Sequence, residues 1–188
     1  MPSRFLRRRL DARSLVALAH PLRVQLRTEL RLRGPATATE LARRLGESSG
    51  STSYHLRMLA RHGFVETEPG RGKGRERWWR AVPEQLLIDT TLAADPTARA
   101  PLRILTDELH RRTASDLATW QAESDRWAAE WRDASTDSIY VAHLDAAETA
   151  ALRDELDAVI SGYAGRPDRP GARIVEVQVS VFPTGEPE

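Results

Sequence analysis

Apolar and polar positions alternate along this chain with two different periods. Leu22, Leu26 and Leu30 recur every fourth residue and place one stripe on a helix from Pro21 to about Leu32. A shorter apolar group, Leu15 to Ala19, fits a helix from Asp11 to Ala19 that stops before Pro21. Thr37 and Glu40 stand three apart ahead of an apolar pair, the spacing of a capping box, and predict a helix from Ala38 to Leu45 that Gly46 ends. Ser48 is suited to cap a further helix reaching about His62, with Thr52, Leu56 and Leu59 on one face and Gly63 after it. The period then shortens. Phe64 to Glu68 and Glu76 to Ala81 read as strands joined by the Gly-rich turn Pro69 to Arg75.

The second half is longer in its elements. Pro83 is expected to open a short helix to about Ala93, and Asp95-Pro96 to break it. One long helix is expected from about Pro101 to Asp133, with Leu102, Leu105, Leu109, Leu117, Trp120, Trp127 and Trp131 at spacings of mostly three and four. A strand is expected at Ser138 to His143. Asp145 and Glu148 form a second capping pattern before a helix carrying Leu152, Leu156, Val159 and Tyr163 on one face. Arg166 to Gly171 reads as a loop. In Arg173 to Phe182, Val175, Val177, Val179 and Val181 alternate with polar residues, the pattern of a half-buried strand. Two strands alone make a marginal sheet, so this α/β tail must lie on the Trp-bearing helix or pair across a dimer. Thr184 to Glu188 are expected to be disordered. The fold class is therefore mainly α with small β: a helix-turn-helix with a wing in residues 1–82, then a long-helix region with a small α/β tail in 83–188.

Composition narrows the function. The 188 residues include no cysteine, which removes disulfides, thiolate metal sites, iron–sulfur clusters and cysteine nucleophiles. No apolar run approaches the roughly 20 residues of a membrane helix. The Arg-rich start, Arg4 and Arg7 to Arg9, lacks the apolar run of a signal peptide, so a cytoplasmic protein is expected, with the arginines as a solvated tail or an arm on DNA backbone. The net charge of +1 conceals a strong polarity. Residues 1–82 hold 18 basic and 7 acidic residues, a net of +11, and residues 83–188 a net of −10. Such asymmetry points to a nucleic-acid module joined to an acidic partner region.

The segment Leu41 to Val65 carries the sharpest signal. A short helix, a turn and a longer helix have the dimensions of a DNA-reading unit. With Thr52, Leu56 and Leu59 toward the core, the opposite face offers the small hydroxyls of Ser49, Ser51 and Ser53, which let a helix sit deep in a major groove, with Tyr54 and Arg57 beside them. The candidate DNA-binding residues are Ser49, Ser51, Thr52, Ser53, Tyr54 and Arg57, with Arg71, Lys73 and Arg75 at the wing tip reaching minor groove or backbone. Together with Ala19 to Arg23, the residues Ser48, Ser51, Ser53, His55, Leu56, Gly63, Phe64 and Val65 resemble the ArsR-type winged-helix regulators over about residues 11–82. That resemblance implies a homodimer, expected as a repressor, on an inverted-repeat operator in double-stranded DNA.

Many ArsR-type relatives sense metals through Cys or His clusters, and this chain departs from them. Its five histidines are scattered, and the pair Asp107 and His110 does not make a site. No metal and no cofactor is expected. His143 and Asp145 read as a strand end and a helix cap. Trp120, Trp127 and Trp131 serve either dimer packing or a pocket for a small-molecule effector. No phosphate loop or nucleophile arrangement stands out, so an enzyme is not expected. The rival reading is a non-catalytic winged helix that binds another protein.

Overall fold

A computed structural model describes residues 6–71, 76–88, 90–164, 166 and 169–186. They divide into two compact units, Phe5–Arg112 and Thr113–Glu188.

The first unit begins with β1 (Leu6–Arg9), α1 (Ala12–Leu18) and α2 (Pro21–Arg33). Each helix starts where a side chain satisfies an orphan backbone donor. Asp11 accepts from the Ser14 amide at 2.7 Å, and His20 Nδ1 accepts from the Leu22 amide at 3.2 Å, with Pro21 in the first turn. β2 (Ala36–Thr37) leads into α3 (Ala38–Leu45). The capping box forms in both directions: Thr37 Oγ1 accepts from the Glu40 amide, and Glu40 Oε2 accepts from the Thr37 amide at 2.8 Å. Gly46 closes α3 with a φ of +69°, a conformation that disfavours any side chain. Thr37→Ala removes the cap and is expected to lower stability by about 1 kcal/mol, while Thr37→Ser retains most of it. Urea unfolding followed by circular dichroism checks this, and equal midpoints for wild type and Thr37→Ala would refute it.

α4 (Ser49–Arg61) is capped by Ser48, which accepts from the Ser51 amide at 3.1 Å. It buries Thr52, Leu56 and Leu59. β3 (Val65–Thr67) and β4 (Trp78–Ala81) pair antiparallel, with Val65 opposite Ala81, and β2 adds on the other side of β4. Helix, helix, helix and a two-stranded wing follow in the expected order. The adjacent tryptophans split as alternation requires: Trp79 is buried in the core and Trp78 is half-buried under the Arg71 guanidinium.

Two expectations are corrected in this unit. The arginine-rich start is neither tail nor arm at Leu6–Arg9. It forms β1 and pairs in parallel with β5 (Glu84–Leu87). Arg8 lies 4.3 Å over the Phe64 ring, donates to Ser14 Oγ and sits 3.5 Å from the Glu84 carboxylate. The helix expected after Pro83 is likewise replaced by β5 and a 3₁₀ turn, Thr90–Ala94. The ladder to β1 is a long-range contact that no local pattern announces, and it outweighs helix propensity. Arg27 donates to the Glu84 carbonyl from a buried site, which lowers its pKa to about 10 and still leaves it charged.

The same core continues past residue 82. Ala98, Leu102 and Leu105 of α5 (Pro96–Glu123) bury with Leu15, Leu26 and Leu59, and Gln25 of α2 donates to Glu108. The start of α5 is capped by Asp95, which accepts from the Thr97 amide.

In the second unit the single helix expected to Asp133 is interrupted. α5 stops at Glu123, a 3₁₀ turn covers Ser124–Arg126, and α6 is only Ala129–Asp133. Ser124 Oγ donates to the Gln121 carbonyl where the helix breaks, and Arg132 donates to the carbonyls of Asp125 and Trp127. α7 (Ala146–Tyr163) forms as expected, with Asp145 and Glu148 completing a second capping box. The flanking strands do not form. Segments 138–143 and 173–182 carry no ladder, and no described residue after Glu108 is buried. A segment becomes a strand only when another strand takes up its backbone groups, and no strand among the described residues pairs with either one.

Candidate nucleic-acid interface

The face of α4 opposite its buried stripe is set by helix geometry. Tyr54, Arg57 and Arg61 follow one another at three- and four-residue steps on the side away from Thr52, Leu56 and Leu59, and Ser49 lies in the first turn of the helix. Ser49 and Arg57 are exposed, Ser51 and Ser53 are half-exposed, and Tyr54 keeps 54% of its surface open. Thr52 does not belong with them. It is fully buried, one turn before Leu56, and is a packing residue. Lys73 and Arg75 fall outside the described residues. Arg71 is exposed at the edge of the wing turn, stacked on Trp78.

The structure adds two arginines that sequence reasoning passed over. An open groove runs between α4 and the wing, lined by Arg57, Ala60, Arg61, Val65, Glu66, Thr67, Arg77 and Trp79. Arg61 stands four residues after Arg57 and therefore shares its face. Arg77 stands two residues before Trp79, on the same side of the wing, with its guanidinium 5.6 Å from that ring. Both spacings were present in the sequence. The wing's two acidic residues facing β4, Glu66 and Glu68, are held by Arg80 at 2.9 and 3.0 Å, which blunts their repulsion of a phosphate backbone.

The two parts of the ArsR-like pattern meet in space. His20, at the start of α2, and His55, on α4, place their rings 4.3 Å apart, with Tyr54 on the far edge of His55. Burial lowers the pKa of both, and the nearby Arg23 charge lowers them further. His62 moves the same way, through burial and then Arg13 and Arg8. The folded state thus releases protons that the unfolded chain still binds near the ordinary value. Stability is then fully present above pH of about 6.5 and declines as pH falls below it. His55→Gln is expected to flatten this decline between about pH 7 and pH 5. Urea midpoints across that range check it, and a wild-type midpoint that does not fall toward pH 5 would contradict it.

The tryptophans of the second unit are only partly gathered. Trp120 and Trp127 lie 5.6 Å apart, and Arg173 sits 5.5 Å from the Trp127 ring. Trp131 is on α6, beyond the break, so the three do not form one helical stripe.

Three stacked helices, an exposed polar face on the third and a basic two-stranded wing define a winged helix-turn-helix domain. Residues 18–68 match the helix-turn-helix domain family, inside the stretch that resembles ArsR-type regulators. A LexA repressor of Shewanella loihica is 38% identical over 66 residues, which are 33% of this chain and 32% of that protein. The chain thus spans about a third of the length of that curated relative. Among solved structures, an ArsR-like transcriptional regulator from Rhodococcus sp. RHA1 is 33% identical, covering 56% of this chain and 85% of its own, with a TM-score of 0.30. The homodimeric winged helix-turn-helix DNA-binding domain from Mycobacterium bovis is 20% identical, covering 61% and 84%, with a TM-score of 0.32.

Proposed function

We propose that this protein is a DNA-binding transcriptional regulator that acts as a homodimer, a repressor on an inverted-repeat operator. The observation that carries this reading is the α4 face: Ser49, Ser51, Ser53, Tyr54 and Arg57 beside a groove flanked by Arg61 and Arg77. Hydroxyls and Tyr54 admit close approach to base edges, and arginines supply bidentate contacts to guanine or phosphate. Arg71, Lys73 and Arg75 extend the positive surface along the flanking backbone. Two copies related by a twofold axis place two α4 helices about 34 Å apart, one helical turn of DNA.

Residues 1–82 carry the DNA contacts in this reading, and residues 83–188 carry dimerisation and the response to an effector. The acidic second half, at −10, is repelled by the duplex and stays free for that role. An effector acts by favouring one spacing of the two reading helices over another.

The test is fluorescence anisotropy of the full chain on DNA from upstream of its own gene and on scrambled DNA, across a salt series. Tight binding to the native region that weakens steeply with salt is expected, because each phosphate contact releases counterions. Equal, weak and salt-insensitive binding to both would overturn the reading in favour of a protein-binding winged helix.

A further inference from the structure

Tyr54 is the exposed aromatic side chain of α4, and a pair of histidines supports it. Its ring meets His55 edge-on with centroids 5.1 Å apart. His55 in turn lies against His20, with centroids at 4.3 Å and planes tilted by 41°. His20 caps α2, so the two rings join α2 to the reading helix. The contacts of both rings favour the uncharged form. His20 Nδ1 accepts from the Leu22 amide at 3.2 Å, and a nitrogen that accepts there carries no proton. His55 Nδ1 is buried with no hydrogen-bond partner, so an imidazolium would enclose an N–H there with no acceptor.

We propose that His20 and His55 position Tyr54 for base reading only as an uncharged pair, so that protonation of the pair switches sequence reading off. The proposal rests on the DNA-binding reading above and deepens it by adding a regulation of the same face.

The charges around the pair act in this direction. Arg23 of α2 donates to the Val16 carbonyl of α1 at 3.3 Å, and its charge opposes a proton on either ring. Glu47, between α3 and α4, favours protonation, but it is exposed, where water and salt screen it. Burial is the largest influence on both rings, and Arg23 outweighs Glu47 on both. Protons therefore enter below the ordinary value of about 6.5. A charge on His20 also opposes one on His55, so the rings resist being charged together. When both take protons, His20 loses its cap on the Leu22 amide and two like charges repel at stacking distance. The rings part, and Tyr54 loses the surface it rests on.

The test is the ratio of affinities of the full chain for its own upstream DNA and for scrambled DNA. The general attraction of a more positive protein to DNA cancels in that ratio. In the wild type the ratio is expected to fall at least ~10-fold between about pH 7.5 and pH 5, with the helical circular dichroism retained. His55→Phe keeps a ring between His20 and Tyr54 and forfeits no bond at Nδ1. His20→Asn keeps an acceptor at the cap of α2. Neither replacement titrates, so each variant's ratio is expected to change by less than ~3-fold over the same range. A second measurement uses no DNA: the nuclear Overhauser contact between the Tyr54 and His55 rings is expected to vanish on acidification, and the contact of Tyr54 with position 55 to persist in His55→Phe. Four results would overturn the proposal: a wild-type ratio that holds to about pH 5, a fall shared equally by both variants, a fall that comes only with loss of helical circular dichroism, or a ring contact that survives protonation of both histidines. A chain that never prefers its own upstream DNA fails the operator reading instead, and the ring contact still decides the switch.

Discussion

Phe64→Ala is expected to lower the stability of the first unit by about 3–5 kcal/mol. The side chain is fully buried at the junction between α4 and the wing. Its amide donates to the Leu59 carbonyl at the end of α4, and its carbonyl accepts from the Val82 amide after β4. The Arg8 guanidinium covers the ring at 4.3 Å, so β1 is tied to the same point. Removing the ring leaves a void in the buried cluster to which Leu56, Leu59 and Val65 also belong, and frees Arg8 from its aromatic partner. A loss of that size is a large part of the 5–15 kcal/mol that hold a typical domain together. The urea midpoint should drop with little change in slope, and Phe64→Leu should lose less because it keeps most of the volume. A loss below about 1 kcal/mol for the alanine variant would show that the α4–wing junction relaxes around the void and that Phe64 does not set it.

The helices of the first unit were legible because each is announced locally. Thr37 and Ser48 cap where the sequence places caps, and Gly46 and Gly63 end helices where a positive φ is needed. The reading face of α4 followed from Thr52, Leu56 and Leu59 on its buried side, and the one error was to count Thr52 among the DNA-binding residues as well. What escaped notice depended on partners distant in sequence. β1 and β5 are short, carry no alternation of their own, and become strands only because they lie beside one another. The same reasoning explains the opposite error in the second unit. Residues 173–182 have the alternation of a strand, but a pattern supplies only the side-chain half of a sheet. The backbone half must come from a neighbour, and no strand among the described residues supplies it. Arg61 and Arg77 were missed for a simpler reason: the face was read from hydroxyls and Tyr54 outward, and the groove to the wing was not followed to its end.

Arg57→Ala is expected to weaken binding to the preferred DNA site by about 1–3 kcal/mol, roughly 5- to 150-fold, and to relax the choice of sequence. Arg57 is exposed on α4, one turn beyond Tyr54 and one turn before Arg61, and opens onto the groove beside the wing. A side chain there reaches base edges once the helix lies in a major groove, and a guanidinium pairs with both acceptors of guanine at once. Arg57→Lys keeps the charge and loses the fork, so it should bind scrambled DNA like wild type and still discriminate poorly. Lys73→Ala is the contrasting case. A wing-tip cation on the backbone contributes alike to every sequence, so its loss should weaken all sites together and reduce the salt slope by about one. Competition anisotropy with single-base operator variants separates the two patterns. If Arg57→Ala lowered affinity uniformly and reduced the salt slope as Lys73→Ala does, Arg57 would be a phosphate anchor, and sequence choice would rest on Tyr54 and the serines of α4.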